Sequence, residues 1–273
     1  MEATGSYGDK LADYLFSKGY QVHVINPACI KAFAKSKLSR HKTDALDAFL
    51  IAEFASKNDL RPYIPKDPVY KELQSFYRCI QSLKLHHLQV SNLLENKDRL
   101  PPSIQQVYET LITQINKQIE KVETCIDQLL TANPLLEQEY KNLQTIPGIG
   151  KATATAVLAE IPPMMYLNNA RQLAAYAGLT PCLYTSGTSV RKKERLSKMG
   201  SHYLRRALFF PALVAKKHNP YLNEFAKKLL DKGKHKMVII GAIMRKLLHI
   251  IFGVLKYKTP FNAEILKRNN DMA

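Results

Sequence analysis

Apolar positions follow three successive rhythms along this chain. From Asp9 to Lys18, Leu11, Tyr14 and Leu15 recur at helical spacing, and Gly19 stands where a glycine closes a helix. Gln21 to Ile25 then alternates as a strand and stops at Asn26-Pro27, so the chain opens as α/β. A helix is predicted from Asp44 to about Ser56, with Leu46, Leu50 and Phe54 inward, and Pro62, Pro65 and Pro68 mark a linker.

The rhythm changes after the linker. From about Tyr70 to Leu130, Ile104, Val107, Leu111, Ile115, Ile119, Val122, Ile126 and Leu129 recur at intervals of three and four. Such a seam predicts a helical hairpin or a coiled coil, with Pro101-Pro102 at the turn; the same seam serves an intramolecular hairpin or a homo-oligomer. Beyond Asn133-Pro134 the pattern is helical again. Its most apolar run, Met237 to Leu255, is interrupted by Arg245, Lys246 and His249, which predicts a core helix with a basic edge and no membrane span. The fold class is therefore mainly α with an N-terminal α/β part.

Charge adds the partner. The 273 residues hold 40 Lys and Arg against 23 Asp and Glu, a formal charge of +17. A surplus of that size repels itself unless a polyanion binds, and nucleic acid is the first candidate. It is concentrated between Arg191 and Lys246, where the acids are Glu194, Glu224 and Asp231. Cys29, Cys79, Cys125 and Cys182 form no CxxC or Cys/His pattern, and the start lacks the basic and apolar regions of a signal peptide, so a cytoplasmic protein is expected.

Three stretches could carry chemistry. In Lys42-Thr43-Asp44-Ala45-Leu46-Asp47-Ala48 the two carboxylates fall three apart, on one face of a helix start, and with Glu2 they offer oxygen-only ligands suited to Mg²⁺ or Mn²⁺. The plainer reading makes Thr43 a cap, Asp44 a partner of the helix dipole and Asp47 a surface acid. Ile146-Pro147-Gly148-Ile149-Gly150-Lys151, ahead of an Ala-rich run, fits the loop of a helix-hairpin-helix, where glycines let backbone N–H groups approach a phosphate. An ordinary turn between helices uses the same residues. Lastly, Ser186-Gly187 in a polar loop followed by Arg191, Lys192, Lys193 and Lys198, then Arg205-Arg206, could present a nucleophile to a phosphodiester among cations, although a plain loop has the same composition.

Taken in order, Glu2-Ala3-Thr4-Gly5-Ser6-Tyr7, Asn26-Pro27, Arg40 through Asp47-Ala48, the Gly148-Ile149-Gly150 turn, Ser186-Gly187, Ser197-Lys198-Met199-Gly200 and Leu204-Arg205-Arg206 resemble the bacterial insertion-sequence transposase family numbered one-ten, related to the Piv DNA invertase. The resemblance spans nearly the whole chain. It implies a RuvC-like domain over 1–65 with an Asp, Glu, Asp, Asp metal site, a helical coiled-coil linker over 66–140, and a helical transposase domain over 141–273 with a catalytic serine. By position Glu2, Asp44 and Asp47 correspond to the second, third and fourth acids, and Ser186 to the serine, in preference to Ser189 and Ser197. Nucleic-acid contacts are assigned to Gly148, Gly150, Lys151, Arg191, Lys192, Lys193, Lys198, Arg205 and Arg206.

The first acid of that pattern belongs ahead of the Glu-Ala-Thr-Gly turn, where this chain begins. The resemblance therefore implies an N-terminally truncated member with an incomplete acid set. Its expected partners are the DNA of a mobile element and its target, an element-encoded guide RNA, and further copies of itself. Two alternatives stand beside the recombinase: a nucleic-acid-binding remnant that cannot cut, and a RuvC-like junction nuclease that uses the acids alone.

Overall fold

The computed structural model describes residues 1–38, 43–95, 97–182, 185–186, 190–191 and 195–263, the two short pairs by their main chain. It is mainly helical, and divides into two compact units, Met1–Lys66 and Asp67–Ala273.

The first unit contains α1 (Ser6–Ser17), α2 (Pro27–Ser36) and α3 (Asp44–Lys57). Helix α1 ends as the sequence predicts: Gly19 takes φ +81°, donates to Phe16 O at 3.0 Å, and Tyr20 N–H reaches Leu15 O at 3.1 Å. That pair of bonds satisfies carbonyls the helix end leaves open, in a conformation only glycine adopts without strain. The predicted strand at Gln21–Ile25 is an extended segment with one parallel bridge, Glu2 to Ile25. Ala3 N–H donates to Ile25 O and Ile25 N–H to Met1 O, both at 2.9 Å, while Tyr63 N–H reaches Val22 O at 2.6 Å. Ala12, Val22, Ile25, Ile30 and Leu50 form a small core, extended by the edge-on Phe33–Phe54 contact at 5.4 Å. Leu46, expected inside, is 40% exposed: the first turn of α3 reaches past this core.

In the second unit, α4 (Pro68–Leu94) and α5 (Pro102–Ala132) form a hairpin that turns just before Pro102. Its burial is concentrated at its base, with Ile115 of α5 buried farther along. Leu73, Tyr77 and Ile80 of α4 share a core with Ile126 and Leu130 of α5, whereas Ile104, Val107 and Leu111 of the predicted seam remain exposed. The remaining helices are α6 (Pro134–Gln144), α7 (Lys151–Glu160), α8 (Ala170–Tyr176), α9 (His202–Ala207), α10 (Phe209–His218), α11 (Pro220–Asp231) and α12 (Lys236–Tyr257). Proline opens α4, α5, α6 and α11, where its missing N–H costs no hydrogen bond. Helix α12 is long and apolar enough to cross a membrane, yet Ile239, Ile243, Leu247, Leu248 and Ile251 are buried at the centre of this unit. It is the expected core helix.

Between α8 and α9 the described residues form two short two-stranded sheets, a ribbon in two segments. β1 (Pro181–Cys182) pairs antiparallel with β4 (Arg195–Leu196), and β2 (Thr185–Ser186) with β3 (Val190–Arg191). Gly241 of α12 makes room for the ribbon's base: a Cβ there would lie 3.2 Å from Leu196 Cδ1.

Candidate nucleic-acid interface

Asp44 and Asp47 both lie in the first turn of α3, where the Thr43 hydroxyl accepts from Leu46 N–H at 3.3 Å and the acids face the positive end of the helix dipole. Glu2 sits on the short parallel bridge. Among the described residues no three His, Cys, Asp or Glu side chains are gathered to hold a metal ion.

The glycine turn does two different things. Gly148, at φ +99°, faces α10 so closely that a Cβ would stand 2.8 Å from Pro211 O and 2.9 Å from Ala215 Cβ. Its freedom serves helix packing. Gly150 has open space around it and caps α7 without a side-chain hydrogen bond. Lys151, the next residue, is exposed and lines a cleft of about 560 Å³ with Lys84 and Arg206, where Glu123 and Asp127 contribute the opposite charge. Tyr77 and Tyr140 also line it. Burial, then Glu160, pushes Tyr77 up to about 12; burial likewise raises Tyr140, so both phenols stay protonated at neutral pH.

Ser186 lies on β2, opposite Val190, rather than in an unstructured loop; Arg191 lies on β3, opposite Thr185. Ser189, Lys192 and Lys193 lie outside the described residues. Lys198 is exposed in a left-handed conformation, φ +54°. Arg205 plays a structural part, since Nη1 donates to Ala177 O at 2.9 Å and Lys198 O at 3.2 Å, pinning the segment after the ribbon to the end of α8. Arg206, beside it, is exposed.

A second cavity, about 720 Å³, was not singled out in the sequence. The ribbon base, α11 and α12 enclose it, with Arg195, Lys198, Arg245, Lys246 and His249 around Leu179, Pro181, Leu196, Phe225 and Val238. Among the described residues no carboxylate lines it. Lys246 stands 5.3 Å from the Phe225 ring and donates to Tyr221 Oη at 3.0 Å. The sequence signal was present: Arg245, Lys246 and His249 interrupt an otherwise apolar helix on one face.

The second unit is thus a helical body with two cavities that carry lysines and arginines. Comparison with known proteins gives the family. Residues 140–227 match a family model described as Transposase IS116/IS110/IS902 family, and residues 1–97 match a second described as Transposase. The pilin gene-inverting protein of Moraxella bovis is 34% identical over 266 residues, covering 97% of this chain and 82% of that one. The transposase for insertion sequence element IS1328 of Yersinia enterocolitica is 25% identical over 280 residues, covering 92% and 82%, and that for IS1111A of Coxiella burnetii is 26% identical over 248, covering 80% and 65%. The chain belongs to the IS116/IS110/IS902 family of transposases.

Proposed function

We propose that this chain is a DNA recombinase that cuts and rejoins strands through Ser186. The match to a gene-inverting protein carries this reading, because it runs through both units and includes the acid-bearing first unit and the serine ribbon. Ser186 Oγ attacks a backbone phosphorus, forming a serine–phosphate ester while the bond to the leaving ribose oxygen breaks. That oxygen departs with a proton. Attack by the ribose hydroxyl of another strand end reverses the exchange, frees the serine and joins the strands. The cations near the ribbon base, Arg195 and Lys198, offset charge building on the phosphoryl oxygens. The turn at Gly150-Lys151 acts as the hairpin of a helix-hairpin-helix, holding a phosphate at the start of α7 with Lys151 and Arg206 alongside.

The test is direct. Incubated with DNA carrying the element's ends and Mg²⁺, the protein should yield a covalent protein–DNA product on a denaturing gel, and Ser186→Ala should abolish it. An unchanged yield from Ser186→Ala removes the serine assignment. A second reading, a nucleic-acid binder without cleavage, is favoured by the lack of a gathered acidic cluster among the described residues. It predicts salt-sensitive binding and no covalent product from the unaltered protein.

A further inference from the structure

The 720 Å³ cavity combines features that a face for duplex DNA alone does not need. Its walls are apolar, with Leu179, Pro181, Leu196, Phe225 and Val238, while among the described residues its charge is all of one sign, from Arg195, Lys198, Arg245 and Lys246. A duplex backbone needs only the cations. An apolar protein segment needs only the walls. An unpaired nucleotide needs both, because its base seeks a dry, stacking surface while its phosphate stays at the charged rim. The volume falls within the range of about 300 to 1,000 Å³ typical of small-ligand sites.

His249 also lines the cavity. His249 Nε2 is buried and has no hydrogen-bond partner among the described residues. Burial, with help from Arg245, Lys246 and Arg171, lowers its pKa, so the ring is uncharged at neutral pH and adds no further cation to the cavity it lines. We infer that the cavity between the ribbon base and α12 receives a single unpaired nucleotide, its base against Phe225, Val238 and Leu196 and its phosphate at Arg195, Lys198, Arg245 and Lys246. The inference rests on the nucleic-acid reading above. It puts one extruded base next to the ribbon that carries Ser186, where strands would be separated for exchange.

The experiment compares two duplexes that differ at one position, an extrahelical 2-aminopurine nucleotide against an extrahelical abasic nucleotide. The full chain should bind the first about tenfold more tightly, the worth of stacking one base. Val238 is 54% exposed, so Val238→Trp fills the cavity mouth without disturbing the core, and should bring the ratio of the two affinities to about one. Equal binding of both duplexes by the unaltered chain, or a ratio that Val238→Trp leaves unchanged, overturns the proposal while leaving DNA binding intact. Failure to bind either duplex overturns the nucleic-acid reading itself.

Discussion

Arg78 and Glu160 form a two-point ion pair across the second unit: Nε donates to Oε1 at 2.8 Å and Nη2 to Oε2 at 3.1 Å. The Glu160 side chain is 1% exposed, and the Arg78 guanidinium lies 5.2 Å from the Tyr203 ring. Helices α4, α7 and α9 are thus joined at one charge pair, in the same helices that supply Lys151 and Arg206 to the cleft. Glu160 is buried but Arg78 is half-exposed, so Arg78→Met leaves an unpaired buried carboxylate close to solvent and should cost about 1 to 3 kcal/mol. The double variant Arg78→Met with Glu160→Leu should cost less than Arg78→Met alone. Urea unfolding of the three proteins measures both, and a single variant no less stable than the double would contradict the account.

Gly148 and Gly150 should respond oppositely. Gly148→Ala forces a side chain into a left-handed residue packed on Pro211 O, and should destabilise by about 1 to 3 kcal/mol. Gly150→Ser adds a capping oxygen at the start of α7 in open space and should hold or raise stability. It should weaken DNA binding, since the new side chain occupies the phosphate position. Thermal melts and a binding titration separate the two effects.

The adjacent arginines should also differ. Arg206→Gln and Lys151→Gln should each weaken DNA of any sequence alike and reduce the salt slope of binding by about 0.9. Arg205→Gln should act mainly on stability, because its guanidinium holds the carbonyls of Ala177 and Lys198. Binding isotherms at several salt concentrations, with melting temperatures, check this.

His249 sets a pH dependence. Its folded pKa lies below the ordinary 6.5, so the unfolded chain takes the proton first as pH falls. The resulting loss of stability is absent above about pH 6.5 and grows as pH drops toward the lowered pKa. His249→Gln should therefore flatten the fall in melting temperature between about pH 7.5 and pH 5, compared with the unaltered chain.

Helices were legible because caps and periodicity are local: Gly19, Thr43, and Pro68 and Pro102 fix ends that neighbouring residues alone decide. Depth was not. Ile104 and Ile126 lie in one periodic seam, yet only the second meets the tertiary core, since burial depends on where the hairpin enters the rest of the unit. Site chemistry divides likewise. Residue type marked Lys151 and Arg206, but could not show that Gly148 serves packing, that Arg205 is held by two carbonyls, or that Arg245, Lys246 and His249 face one cavity with Arg195. These depend on contacts distant in sequence.

The most direct measurement identifies the residue that becomes attached to DNA. After reaction with end-containing DNA, nuclease trimming and proteolysis, mass spectrometry should find the nucleotide adduct on Ser186. An adduct on Ser189, Ser197, a tyrosine or any other residue, or none from a protein that demonstrably cuts, would contradict the account.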